Sequence, residues 1–326
     1  MSKLVTIFGG SGFVGRHIAR RMAKEGWLVR VAVRRPNEAM FVKPYGAVGQ
    51  VEPVFCNIRD DASVQATMKG SDAVVNCVGI LSDRGKNTFD AVQHEGAERI
   101  ARIAAAEGVA TMVHISAIGA DKDSDSDYAQ SKALGEEGVL AHMPDAMILR
   151  PSVIFGQDDE FFNRFASMAR LGPVLPIVGG ETKFQPVFVD DVAQAAVLGI
   201  KGEASGTYEL GGPEAQSLRA WIDEMLVVIH RKKIVVNLPF FAGKLMAFGF
   251  GLLQKLTFGL WHNSVITGDQ LVLLKSDNVV SEGAQGLADL GIKPVAPEAV
   301  MAEYLWRFRP SGQYDAIKDS ARNLKI

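Results

Sequence analysis

Cysteine is scarce: the 326 residues include only Cys56 and Cys77. Two thiols do not make a disulfide scaffold. Both sit in apolar, strand-like runs, the setting of buried thiols kept reduced. A basic excess is also missing. Lys and Arg total 35 against 37 Asp and Glu, a net charge of −2. No surplus of cations exists to neutralise phosphates, which excludes a nucleic-acid partner. The six histidines (His17, His94, His114, His142, His230 and His262) show no ligand-like pairing, so no metal site is expected. The first apolar run begins at Leu4, so no signal or transit peptide is expected ahead of it. No internal repeat or low-complexity tract is present. Apolar residues are plentiful: 48% hydrophobic against 22% charged describes a globular chain with a substantial core, and its length suits about two domains.

The chain is organised around its beginning. Leu4 to Phe8 has the composition of a strand buried on both faces. Gly9, Gly12 and Gly15 follow at three-residue spacing, and Phe13, Val14, Ile18 and Met22 then recur at helical spacing up to Gly26. Strand, glycine turn and helix in that order open a dinucleotide site. One glycine permits the turn, the next lets backbone approach a pyrophosphate, and the third lets helix and strand pack closely. Gly10, Ser11 and the amides at Phe13 and Val14 then face the phosphates. A glycine-rich turn alone is common. The alternation of strands and helices that follows gives this one its meaning.

Trp27 to Val33 is expected as a second strand, ending in Arg34-Arg35-Pro36. NAD-preferring sites usually place an acid here, about 20 residues past the glycines, to hold the ribose 2′-hydroxyl. Guanidinium forks suit a 2′-phosphate, so the cofactor expected is NADPH, the alternative being two solvated strand-end charges. Residues 36–50 show little pattern. A third strand spans 51–58, with Asn57 and Ile58 at its end near the adenine, and Asp60 or Asp61 can cap the next helix. A fourth, 72–79, brings Asn76, Val78 and Gly79 toward the cofactor. A helix is expected over 90–107 and a fifth strand over 111–115, ending in Ser116. The sixth strand spans 146–155 and includes Pro151 and Val153. This rhythm predicts an α/β protein with a doubly wound parallel sheet, of the Rossmann kind, and ligands at the carboxyl ends of its strands. From Thr207 the rhythm fades. The domains expected are 1–156, with 184–206 returning to it, and a smaller C-terminal α/β domain from 157–183 and 207–326.

Tyr128 and Lys132 are four apart and share one face of a helix. An ammonium beside a phenol lowers its pKa by roughly 1–3 units, which makes it a usable proton donor or acceptor near neutrality. Lys132 can also bond ribose hydroxyls, and Ser116 can polarise a carbonyl. A lone pair at this spacing is usually a surface pair; after the fifth strand of a dinucleotide fold it points to chemistry.

Gly9-x-x-Gly12-x-x-Gly15, Ser116, Tyr128-x-x-x-Lys132, Leu149-Arg-Pro-Ser-Val-Ile-Phe-Gly156 and Pro186-Val-Phe-Val-Asp-Asp191 together resemble the extended short-chain dehydrogenase/reductase superfamily over roughly residues 3–215. The resemblance implies an NAD(P) cofactor and a catalytic Ser116, Tyr128 and Lys132. Asn57 departs from it, standing where many members carry Asp against the adenine. The interval from Ser116 to Tyr128 is also shorter than in sugar-nucleotide epimerases. Phe8-Gly-Gly-Ser-Gly-Phe-Val-Gly-Arg16, Tyr128-Ala-Gln-Ser-Lys-Ala-Leu-Gly-Glu136, Ile266-Thr-Gly-Asp-Gln270 and Lys275-Ser-Asp-Asn-Val-Val280 resemble the nucleotide-binding accessory subunits of respiratory complex I, across nearly the whole chain. That resemblance implies a tightly held NADPH with a structural role and a vestigial catalytic trio. It also implies docking on other complex I subunits near the junction of the peripheral and membrane arms. With no targeting sequence, it implies a bacterial form at the cytoplasmic face of the inner membrane.

Residues 238–262 carry only two formal charges, Lys244 and Lys255. On a helix, Lys244, Gly251, Lys255 and His262 fall on one narrow stripe, and apart from Gln254 and Thr257 the rest is apolar. The uncharged run between the lysines is shorter than the roughly 20 residues that span a bilayer. Such a segment either packs into its own domain or lies on a membrane surface or partner. Three functions remain open: a non-catalytic NADPH-binding subunit, a free NADPH-dependent reductase or epimerase using Ser116, Tyr128 and Lys132, and a nucleotide-regulated sensor that differs from the first only in its partner.

Overall fold

A computed structural model describes residues 2–256 and 267–314. The backbone divides into two compact units: Met1–Ser152, Val189–Gly211 and Val280–Pro294 form the first, and Val153–Phe188, Gly212–Val279 and Val295–Ile326 the second.

In the first unit β1 (Leu4–Phe8), α1 (Phe13–Lys24), β2 (Leu28–Val33), β3 (Val51–Phe55), α2 (Asp61–Met68), β4 (Ala73–Asn76), α3 (Glu95–Ala106), β5 (Thr111–Ile115), α4 (Asp127–His142) and β6 (Met147–Pro151) alternate in sequence. The second unit then holds β7 (Ile154–Phe155), α5 (Phe162–Met168), β8 (Val174–Val178), β9 (Lys183–Phe184) and β10 (Val187–Phe188). The first resumes with α6 (Val189–Lys201) and β11 (Gly206–Leu210). Its sheet runs β11-β6-β5-β4-β1-β2-β3, every pairing parallel. The strands are short and Val/Ile-rich because helices cover both faces. The α1 helix packs with α6 on one side, while α2, α3 and α4 pack together on the other. Between β1 and β4 the strand order reverses, which opens the crevice where such sheets bind ligands.

Several segments differ from the sequence expectation. Residues 36–45, expected to be irregular, form a 3-10 helix (Pro36–Tyr45), with Pro36 in the first turn where its missing N–H costs nothing. The helix expected from Asp90 opens as a π-helical turn (Asp90–His94) before α3. The single strand expected over 146–155 is two: β6 stays in the main sheet, and β7 pairs with β10. Residues 184–188 do not return to the main sheet, and β11, assigned to the C-terminal domain by its fading rhythm, is that sheet's seventh strand. Its sequence, Gly-Thr-Tyr-Glu-Leu, is half polar because it lies at the edge.

The second unit continues with β12 (Gln216–Ser217), α7 (Leu218–Val228), β13 (Ile234–Leu238), α8 (Phe240–Leu256), α9 (Gly268–Leu273) and α10 (Pro297–Leu305). Its core gathers Phe155, Phe162, Leu175, Trp221, Met225 and Tyr304. Trp221 is fully buried and donates its indole N–H to the Phe184 carbonyl at 3.0 Å. β8 and β13 form a parallel ribbon with Ile234 opposite Val174 and Leu238 opposite Val178. The end of the apolar stretch, 257–262, and Ile266 of the C-terminal motif lie outside the described residues.

Candidate dinucleotide site

Sheet register brings the site together. Phe8 lies opposite Ala32 on one side and Asn76 on the other; Asn76 in turn faces His114, and Ile115 faces Leu149. The segments after β1, β2, β4 and β5 therefore leave the sheet at one level.

Gly9 adopts a φ of 75°, open to glycine at little cost, and its N–H donates to the Ala32 carbonyl at 2.9 Å. Gly12 N–H closes the turn onto the Gly9 carbonyl at 2.9 Å. A Cβ on Gly15 would stand 2.6 Å from Gly10 Cα and from the Gly9 oxygen. Those are backbone atoms and cannot move aside. Beyond the turn, α1 starts at Phe13 with Gly12 as its N-cap; no side chain caps it and its first turn holds no acid. Its first amides and positive end are left for an anion.

Arg16 belongs to this loop and was not singled out from the sequence. Its guanidinium donates to the Ser11 and Gly12 carbonyls, each at 3.2 Å, and lies 5.2 Å above the Phe41 ring. Its signal was its place, four residues past Gly12 on the helix that carries the glycines. Arg34 and Arg35 are exposed beyond β2. Arg35 pairs with Glu38 at 3.0 Å, an open surface pair of small worth. No partner for Arg34 is found among the described residues.

At β3 the side chains serve the fold. Asn57 Oδ1 accepts from the Arg59 amide at 3.2 Å, and Asp60 caps α2 through the Ala62 and Ser63 amides. Ile58 packs against Gly96. Asn76 was expected to face the cofactor, but it is buried and both its polar ends are taken. Oδ1 accepts from the Val78 amide at 3.0 Å, so Nδ2 points at His114 Nδ1, 3.1 Å away. His114 must then carry its proton on Nε2. Burial pulls its pKa down to about 3, with the Lys132 charge adding to the effect. It stays a neutral imidazole at physiological pH and takes up no second proton.

Tyr128 and Lys132 stand on α4, opened by Ser126, whose hydroxyl accepts from the Ala129 amide. The Tyr128 ring packs edge-on against Phe89 at 5.9 Å, and the Lys132 ammonium sits 5.9 Å from the phenol ring centre. Lys132 is 5% exposed and donates to the Ile115 carbonyl at 3.0 Å. Burial lowers its pKa to about 8 against the pull of Glu136 and Cys77, which favour the charged form. Glu136 accepts a forked contact from Arg150 on β6, at 2.9 Å to Nε and 2.6 Å to Nη2, which ties α4 to the sheet. Gly79 lies where a Cβ would stand 3.6 Å from Lys132 Nζ and 3.4 Å from Gln93 Oε1. Gln93 was also overlooked. From the π-helical turn its oxygen accepts from the Ile80 amide at 3.3 Å, and its nitrogen donates to Ser131 Oγ at 2.9 Å. Burial pushes the nearby Cys77 thiol up to about 12, so it is no nucleophile.

Ser116 is 3% exposed, and its hydroxyl finds no partner among the described residues. A buried orphan hydroxyl at the end of β5, one residue past the carbonyl that holds Lys132, is the kind of group a bound molecule satisfies. Pro151 is buried at the end of β6. Val153 lies in the second unit, where its amide donates to Asn278 Oδ1 at 3.2 Å.

Residues 5–211 match the NAD dependent epimerase/dehydratase family. The chain belongs to that family. Its glycine cradle, uncapped helix end and orphan serine fit a nucleotide cofactor at the carboxyl ends of the strands. Within the family the chain is 33% identical over 316 residues to "NADH dehydrogenase [ubiquinone] 1 alpha subcomplex subunit 9, mitochondrial" of Arabidopsis thaliana, covering 95% of this chain and 79% of that one. It is 32% identical over 239 residues to a ceramide reductase of Caulobacter vibrioides, covering 72% of this chain and 74% of the relative. Among solved structures, the Bordetella bronchiseptica enzyme WbmH in complex with NAD+ has the same fold, with a TM-score of 0.70 and 16% identity over 96% of this chain and all of that one.

Proposed function

We propose that the chain is an NADPH-binding accessory subunit of respiratory complex I, in which the nucleotide holds the fold together and does not turn over. One observation carries this reading: similarity to the Arabidopsis subunit runs through 95% of the chain, well beyond the 5–211 match that cofactor binding alone explains. Bound nucleotide would stabilise such a subunit by mass action. The partners proposed are complex I subunits near the junction of the two arms, and the location is the cytoplasmic face of a bacterial inner membrane. No helix among the described residues is long and apolar enough to cross a membrane, so attachment would be peripheral. After mild detergent extraction the chain should migrate with a large NADH:quinone oxidoreductase assembly. A clean soluble dimer would overturn the proposal.

A second reading, a free NADPH-dependent reductase or epimerase, is favoured by the Tyr128–Lys132 pair, whose buried amine has its pKa lowered toward neutrality, and by the ceramide reductase relative. Tyr128→Phe separates the two. As a structural subunit the variant should assemble and support respiration at wild-type levels; as an enzyme it should lose roughly 100-fold or more in turnover with its acid–base group.

The choice of NADPH rests on Arg34 and Arg35. Replacing both with Ala should weaken NADPH retention roughly 10- to 100-fold, the worth of one or two charge-assisted hydrogen bonds, and leave NADH binding nearly unchanged. Equal losses for the two nucleotides would remove the preference.

A further inference from the structure

In the second unit a basic and apolar surface is turned to solvent. The β8–β13 ribbon buries Leu175, Ile177 and Val235 on one face and exposes Val174, Ile234 and Val236 on the other. The helix that follows continues the pattern. Gly243 faces inward, where a Cβ would meet Leu271 at 2.9 Å and Val178 at 3.2 Å. On the opposite face Phe241, Leu245 and Phe248, at i, i+4 and i+7, are 74%, 70% and 72% exposed. Three large side chains left in water on one helical face exceed the scatter of single apolar residues normal for a surface.

Charge decides what covers this face. From Met225 to Gly268 the sequence holds no acidic residue, but it does hold Arg231, Lys232, Lys233, Lys244 and Lys255. Lys244 is exposed within the Phe241–Phe248 stripe itself, and Lys232 is exposed beside Ile234. Arg231 and Lys233 bond the Phe308 and Gly172 carbonyls and so are held at the ribbon's start. A protein interface core is usually depleted of lysine. At a membrane surface a lysine amid aromatic and leucine side chains is favourable, because its stem lies with the apolar groups and its ammonium reaches the headgroups.

We propose that this face, built from Ile234, Val236, Phe241, Leu245 and Phe248 with Lys232 and Lys244, docks on an anionic phospholipid surface. The inference rests on the membrane-peripheral part of the proposed function, and it adds the lipid chemistry and the residues that read it. Basic residues contribute about 1 kcal/mol each near an anionic membrane, roughly fivefold in partitioning, and the aromatic side chains insert at the headgroup boundary.

The test is flotation of the full chain, nucleotide bound, with vesicles of phosphatidylglycerol and phosphatidylcholine, and with phosphatidylcholine alone. The wild-type chain should float with the anionic vesicles and much less with neutral ones. Lys232→Gln with Lys244→Gln should weaken anionic partitioning about 25-fold. Phe241→Ser with Phe248→Ser should abolish it. All four side chains already face solvent, so thermal unfolding of each variant should match wild type and show that the loss is not misfolding. No flotation of the wild type, or flotation that ignores both lipid charge and these substitutions, overturns the proposal. Should this chain co-migrate with a membrane assembly yet never float with vesicles, the face is a protein interface and only the lipid inference falls. Flotation without any such assembly would instead count against the complex I reading.

Discussion

Replacing Gly15 with Ala should all but abolish nucleotide retention and lower the stability of the chain. The added methyl would stand 2.6 Å from Gly10 Cα and the Gly9 oxygen, well inside contact distance, with backbone on both. Relief requires α1 to move away from β1, and the amides that open the helix move with it. Overpacking of this kind costs about 1–3 kcal/mol in stability. Displacing several amides from the pyrophosphate should cost at least about 100-fold in retention. Gly12→Ala is the informative companion. Gly12 is exposed, and its Cβ would approach only the Gly9 oxygen, at 3.1 Å. That variant should fold nearly as well as wild type and still bind poorly, because the methyl occupies the approach of the phosphates. Thermal unfolding of nucleotide-free protein, read beside nucleotide content, tests both. A Gly15→Ala chain that keeps its nucleotide would show that the cradle is not the binding element.

Lys132→Met should do the reverse to stability. With the pKa of this lysine lowered to about 8 by burial, the charged form costs about 3 kcal/mol relative to an amine in water at its ordinary value near 10.4. Methionine removes that cost and forfeits the hydrogen bond to the Ile115 carbonyl, worth about 1 kcal/mol or more. Glu136 keeps Arg150 as its partner. The nucleotide-free variant should therefore be about 1–2 kcal/mol more stable than wild type at pH 7. The pH dependence follows from the lowered pKa. Between about pH 8 and 10.4 the unfolded chain holds more protons at this residue than the folded chain. Wild-type stability therefore gains from this residue as pH rises through that window, and the gap to the methionine variant closes. Nucleotide retention should fall by about 10- to 100-fold, because the ammonium no longer reaches the ribose. A less stable variant at pH 7, with a gap indifferent to pH, would mean that the ammonium is well solvated or fully compensated.

Much of the nucleotide-binding unit was legible in the sequence because local and global signals agree there. Leu4–Phe8, the glycines and the Ile18–Met22 face state strand, turn and helix in one short stretch, and the βαβ rhythm extends it to β6. The misreadings have physical causes. The edge strand β11 is half polar, so its sequence carries no buried-strand signal. β7, β9, β10 and β12 are two residues each, too short for any period to show. Asn76 sits at the right strand end but turns to His114 and Val78, a choice set by hydrogen bonding across β4 and β5. Arg16 and Gln93 gain their positions from tertiary contacts with Phe41, Ile80 and Ser131. The apolar character of 238–256 was plain, but which face it buries depends on Gly243 fitting against Val178 and Leu271.

The central claim, that this chain holds NADPH in the crevice between β1 and β4, meets its most direct test in native mass spectrometry of the untreated protein. The account predicts a single species heavier by one NADPH, stripped to the bare chain in the Gly15→Ala variant. A bare wild-type chain, or one carrying NADH and NADPH without preference, would contradict it.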